Sequence, residues 1–295
     1  MTKEITSAKR NKVERQSYLK ETIRRYKKSK LAMIGLLIFV IIVLFAAFAG
    51  LFGTYEDSIT QNIMHKLQTP NAEHWFGTDR YGRDLFLRCI YGARISLVIG
   101  LTAMFLAMIV GVMLGMTAGF YGGLYDNLVM RGLDIFSAIP TILLAICVVA
   151  ALGSSTPNLV IALAISRMPA FARIARASVL GISGQEYVEA ARAGGTKDLR
   201  ILLRHVLPNM LSPLIVQATA CVASLILQTA SLSFLGLGVP APTPEWGAII
   251  TEGKSFVRTH PYTVWIPGMC VIAASLSVSL IGDGLRDALD PRLKS

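Results

Sequence analysis

The chain has 295 residues, of which 53% are apolar and only 16% charged, with a mean hydropathy of +0.55 and a formal net charge of +11. That balance lies outside the soluble globular range and marks a membrane protein, read here as all-α and integral. The positive excess sits mostly beside apolar spans without aromatic interleaving, so it argues for anionic lipid headgroups and against nucleic acid.

In chain order, residues 1–30 form a basic arm carrying eleven Lys or Arg. Its Lys20–Lys30 stretch suits anionic lipid on the inner leaflet, whereas residues 1 to about 15 suit a solvated tail. Leu31 to Phe52 then runs without a charge. At 1.5 Å per residue this covers about 33 Å, enough for a hydrocarbon core of about 30 Å. Ala47 and Ala49 imitate a signal-peptide cleavage site, but the apolar run is too long and the preceding arm too extended, so an uncleaved first span is expected.

Residues 53–94 make an outer segment containing the run His74-Trp75-Phe76-Gly77-Thr78-Asp79-Arg80-Tyr81-Gly82-Arg83-Asp84. Gly77, Asp79, Gly82 and Asp84 are turn formers, which favours a structural role over substrate contact, while Trp75 and Phe76 suit an interfacial anchor. A core region, 95–282, follows. Its apolar runs Ile95–Ala118, Ile135–Leu152, Leu211–Leu235 and Tyr262–Ile281 predict four more crossings. Leu159–Ile174 is weaker, being interrupted by Arg167, Pro169 and Arg173.

The distribution of positive charge restores that weak span. The arm and the segment Arg173–Arg204, with six Lys or Arg, belong inside; Gly53–Arg94 with five, the link at Gly153 with none and Gly236–Pro261 with two belong outside. Six spans satisfy this, with both termini cytoplasmic and 283–295 as a tail. Without the weak span the basic segment around Arg192 would be stranded outside.

Within the spans, Gly111, Gly115 and Gly119 recur every four residues and permit close helix packing. In the fifth span Gln217, Ser224, Gln228 and Ser231 fall on one polar stripe at about 100° per residue. It lines a translocation path or hydrogen-bonds a neighbouring helix; two amides among four residues favour the path. Gly268, Ser275, Ser279 and Gly282 repeat that spacing in the sixth span and suit helix contact. Arg167 is the only deep charge, and no Asp, Glu or His stands at a span centre to bind a driving ion.

Between the fourth and fifth spans lies the cytoplasmic loop 175–208. Ser183 followed by Glu186 predicts a capping box that starts a short helix, and Gly194 with Gly195 ends it. Such a helix is too short to stand alone in water and must rest on something. Ala190 and Ala191 allow close approach, Glu189 offers a carboxylate, and Thr196 is positioned to cap a second helix, 197–206, that Pro208 interrupts.

Glu189, Ala190, Ala191, Gly195, Leu207 and Pro208 resemble the EAA loop of the integral-membrane permeases of binding-protein-dependent ATP-binding-cassette (ABC) importers, with His205 where that pattern has Ile. The outer run from His74 to Asp84, Arg204-His205-Val206-Leu207-Pro208-Asn209 and Gly282-Asp283-Gly284-Leu285-Arg286-Asp287 are similar to the C-type permease of oligopeptide and dipeptide systems. The resemblance implies the type I ABC importer permease fold in the cytoplasmic membrane of a prokaryote. It also implies pairing with a homologous B-type permease, two cytosolic ABC ATPases carrying the ATP and Mg, and an extracytoplasmic peptide-binding protein. A nickel-uptake permease of the same subfamily is the alternative substrate class.

Other chemistries find no support. Cys89, Cys147, Cys221 and Cys270 show no CxxC pairing, so neither a metal site nor a disulfide framework is implied. Ala248–Ser255 resembles a phosphate loop but lacks its first Gly, its strand and a cytosolic position, and Gly236, Gly238 and Ala241 imitate a dinucleotide fingerprint broken by Pro240. A secondary carrier would want buried acids. A membrane enzyme would want clustered catalytic groups, whereas His65, His74, His205 and His260 are scattered over loops. No catalytic residue and no cofactor bound by this chain is expected.

Overall fold

The computed structural model describes residues 20–289. Residues 20–28 are helical, and Ser29 separates them from α1 (Lys30–Ala47) by accepting a hydrogen bond from the Ala32 amide at 3.3 Å. Most of α1 is apolar and outward-facing, as a lipid-exposed helix must be. A short helix α2 (Tyr55–Ile59) follows, with Thr54 and Asp57 capping each other. Hydrogen bonding with the Thr54 side chain and amide holds the Asp57 carboxyl below the ordinary carboxylate range.

The long helix α3 (Leu85–Tyr121) begins at Asp84, whose side chain accepts from the Leu87 amide at 2.9 Å. Its 37 residues extend about 56 Å, well beyond a hydrocarbon core. The first ten belong to the stretch expected as an outer segment: the second span starts earlier than its hydropathy suggested because Arg88 and Arg94 lie on helical turns above the apolar run. Gly122 and Gly123, at φ +66° and +59°, turn the chain sharply into α4 (Gly123–Ala138).

The expected third span, Ile135–Leu152, is not a single straight helix. α4 and α5 (Thr141–Leu152) meet at a bend of 92°. Pro140 causes it: proline has no amide to donate, and Ile139 before it takes the extended conformation proline imposes. α5 alone is 12 residues, about 18 Å, too short to cross a hydrocarbon core of about 30 Å by itself.

The weak fourth span forms fully, as α6 (Thr156–Ile182), started by Ser155 and carrying Pro169 within it. Gly111, Gly115 and Gly119 of α3 abut it as expected. A Cβ on Gly115 would lie 2.0 Å from the Ala172 carbonyl oxygen and one on Gly111 2.5 Å from that of Met168. Near the inner end the Arg176 guanidinium donates to both carboxylate oxygens of Asp126, each at 2.6 Å, tying α4 to α6.

After the loop helices α7 (Glu186–Ala193) and α8 (Asp198–Ile201), a π-helical turn, Leu202–Val206, leads directly into α9 (Leu207–Phe234). Then come α10 (Trp246–Gly253) and α11 (Tyr262–Leu289). Five helices or continuous helical segments are long and apolar enough to cross a membrane, six if the bent pair counts as one span. With six crossings, residues 30 and 289 lie on the same side. Among the described residues the chain has no named strand, only a bridge between Thr78 and Asp84.

Candidate functional site

α7 is eight residues, about 12 Å long, and rests on the body of the protein through Val188, which is completely buried, with Ala191 packed beside it. The opposite face presents Glu186, Glu189, Ala190 and Ala193, all exposed and spaced i, i+3, i+4, i+7. Arg192 lies over the Phe120 ring at 4.5 Å, so the end of α3 also holds the helix. The small residues of the loop motif therefore form a free ledge with a carboxylate in its middle.

The helix ends as expected. Gly194 is its C-cap, and Gly195 at φ +74° lets the Thr196 amide reach back to the Ala191 carbonyl at 3.0 Å. Its beginning differs. Ser183 caps the end of α6 in helical conformation, its amide bonded to Val179, and Gln185 stands at the start of α7 without a side-chain cap. The expected capping box between Ser183 and Glu186 is absent because α6 runs on to the serine and leaves no extended backbone there.

Thr196 makes no cap either, and Pro208 does not interrupt the next helix. The Leu207 amide bonds the Leu202 carbonyl, five residues back, and this wider turn makes room for the proline ring, which in an ordinary α-helix would press on the Arg204 carbonyl. The segment from Asp198 to Phe234 is thus one continuous rod. Leu207 packs against the core and Pro208 is exposed beside it. Asn209, one residue on, donates to the Tyr187 hydroxyl at 3.3 Å, linking rod and ledge.

A groove of about 1040 Å³ runs along α9 and α11, with Ile174 of α6 on one wall. Gln217 and Ser224 of the polar stripe line it, together with Ser275 and Ser279. Ser275 also donates to the Ala223 carbonyl at 3.1 Å, so it both joins the helices and faces the groove. The other half of the stripe is engaged elsewhere. Gln228 accepts from Arg167 Nε at 3.3 Å and donates to the Thr141 hydroxyl at 3.0 Å, and Ser231 bonds its own helix at Leu227. Gly282 does serve helix contact, its Cβ position 2.5 Å from Thr219 Oγ1, but Gly268 has nothing within 4 Å. Asn209, Ser212, Asp283 and Arg286 complete the polar lining. Asp283 and Arg286 were visible in the C-terminal motif, yet spacing along one helix does not reveal which neighbour leaves a gap.

At the outer end, Asp79 and Arg83 are buried and joined at 2.6 Å, and Arg83 Nη2 also donates to Glu252 of α10. Arg88 of α3, wholly buried, donates to the same Glu252 carboxylate at 2.9 Å and lies 3.4 Å from Asp79. Two acids thus balance two bases; removing one member of such a buried set typically costs about 3–5 kcal/mol. Gly77 and Gly82 adopt φ of +76° and +74°, and a Cβ on Gly82 would lie 1.7 Å from the Asn62 carbonyl oxygen. Thr78 donates to the His65 carbonyl and accepts from the Gln68 amide. His74 bonds Asp84 at 2.7 Å, Phe76 packs on Phe86, and Trp75, also against Phe86, stays exposed. These interactions favour folding the connection over ligand contact.

Glu245 is a buried acid that sequence reasoning missed. Its carboxylate caps α10 through the Gly247 and Ala248 amides, each at 2.9 Å, and accepts from Ser96 at 3.0 Å and Ser233 at 2.6 Å. One side chain so joins α3, α9 and α10. Four donated hydrogen bonds offset the burial of its charge.

The family model described as binding-protein-dependent transport system inner membrane component matches residues 111–295, and that of the N-terminal TM domain of oligopeptide transport permease C matches 17–70. The dipeptide transport system permease protein DppC of Alkalihalophilus pseudofirmus is 47% identical over 276 residues, spanning 94% of this chain and 90% of its own. The glutathione transport system permease protein GsiD of Shigella flexneri is 44% identical over 271 residues, 92% and 89% of the two chains. An inward-facing structure of the MetNI methionine ABC transporter superposes with a TM-score of 0.56 at 20% identity, covering 70% of this chain and 98% of that one.

Proposed function

We infer that this chain, which belongs to the family of binding-protein-dependent transport system inner membrane components, is the permease subunit of an ATP-driven peptide importer that forms half of the translocation path. Its multi-pass helical body has the type I importer permease fold. The two relatives named for dipeptide and glutathione transport support a peptide rather than nickel as cargo.

One observation carries the mechanical part of this reading: the exposed ledge of Glu186, Glu189 and Ala190, held to the body by Val188 and linked by the short turn 194–197 and the hydrogen bond from Asn209 to Tyr187 to the rod Asp198–Phe234. A cytosolic ATPase gripping that ledge would move a rod whose far side lines the polar groove. A short helix seated in a partner's cleft is a familiar recognition mode, and rigid-body rotation of packed helices is a familiar response. In this reading two ATPases bring the ATP and Mg and a homologous permease supplies the other half of the path. A peptide-binding protein delivers cargo at the outer face, and the assembly sits in the cytoplasmic membrane of a prokaryote.

Replacing Glu189 by Lys together with Gly195 by Asp tests the coupling. The changes fall on a free surface and a positive-φ turn, outside the packed spans, so membrane yield should stay near wild type while peptide uptake falls at least about tenfold, the loss of roughly 1.4 kcal/mol of docking energy. Full uptake by the double variant would refute coupling through this ledge.

A further inference from the structure

Arg167 lies eleven residues after the start of α6, about 17 Å along the helix axis and so near the middle of the span. A guanidinium has five N–H donors, and here one of them, on Nε, reaches the neutral Gln228 amide oxygen. Arg167 makes no ion pair with any described residue. Arg167 is half-buried, unlike Arg88, whose unpaired Nε and Nη1 are enclosed. A cation at this depth without a counter-charge is costly, and intramembrane charges of this kind mark substrate or ion pathways.

Its position relates it to the groove. Ile174, two turns along the same face of α6, lines the groove, as do Ser224 and Leu227 on α9, immediately before Gln228. Gln228 in turn is held by Thr141 beside the Pro140 bend, so three helices fix where the guanidinium sits. It neighbours groove-lining positions along both helices, and among the described residues only its Nε is engaged, by Gln228.

We propose that Arg167 is a substrate-contacting, specificity-determining residue of the path, where the side-chain carboxylate of a passing acidic peptide supplies the missing negative charge. The inference rests on the peptide-import reading. Planar donors suit a carboxylate bidentately, and the neutral Gln228 partner orients the guanidinium without quenching its charge, so each peptide binds and then leaves.

The test uses the complete transporter reconstituted in liposomes with saturating binding protein. Uptake of alanyl-glutamate and alanyl-lysine is measured per ATP hydrolysed. Arg167→Gln should assemble normally and keep the ATPase stimulation by loaded binding protein. Its uptake ratio of the glutamate to the lysine peptide should fall about tenfold, since a charge pair at partly screened contact is worth at least that factor. Arg167→Lys should keep much of the preference. An unchanged ratio, or equal loss of ATPase stimulation and of uptake for both peptides, overturns the proposal. Failure of Arg167→Gln to assemble also overturns it by assigning the counter-charge to the companion permease. If the wild-type complex moves neither peptide, the peptide reading itself fails; wild-type uptake with an unaltered variant sinks only the role of Arg167.

Discussion

At the scale of single residues, the protein separates glycines that permit contact from those that merely share their spacing. Gly115 and Gly268 both belong to periodic small-residue patterns, yet a Cβ on the first would meet a backbone carbonyl at 2.0 Å and on the second would meet nothing. Gly115→Ala should therefore destabilise the subunit by at least about 1–3 kcal/mol, the usual cost of overpacking, because a carbonyl in a neighbouring helix cannot swing aside as a side chain can. Gly268→Ala should be nearly neutral. Thermal unfolding of the two purified variants checks this; equal midpoints would contradict the close α3–α6 approach. The pattern at Gly111, Gly115 and Gly119 was legible because close packing leaves a periodic trace. The outer ion cluster was not, since Arg88 and Glu252 stand 164 residues apart and only the fold brings them together.

Among the elements, apolar length predicted most of the spans, because the bilayer imposes a minimum run whatever the neighbours are, and the distribution of Lys and Arg recovered the weak one that apolar length alone left in doubt. Departures from regular winding were harder to read. A proline signals a disturbance but not its form: Pro140 bends the chain by 92°, whereas Pro208 is absorbed by a π-turn that keeps the helix continuous. The capping box at Ser183 failed for a related reason, as nothing local stopped α6 before the serine. Pro208→Ala tests the element that results. With no ring to accommodate, the turn is free to rewind as ordinary α-helix, rotating α7 relative to α9. Uptake per ATP should fall several-fold while the subunit still assembles, measured by reconstitution beside wild type. Unaltered coupling would show that the π-turn is incidental.

For the whole molecule, α9 divides two surfaces. Gln217 and Ser224 face the polar groove, and Leu211, Ile215, Ala218 and Val222, on another side of the same helix, line a hollow of about 570 Å³ with almost wholly apolar walls. A rod with one polar face, joined at its inner end to an exposed ledge, is suited to convert a push from below into movement of a path wall. The four cysteines Cys89, Cys147, Cys221 and Cys270 are free, so a background lacking them is straightforward to design. In that background a single cysteine in place of Glu189 offers the most direct measurement of how the chain is driven. It should crosslink to an ATPase subunit in the assembled transporter and stay unreactive to a membrane-impermeant thiol reagent added outside intact cells. Labelling from outside, or no crosslink to any nucleotide-hydrolysing subunit in a complex that still transports, would contradict it.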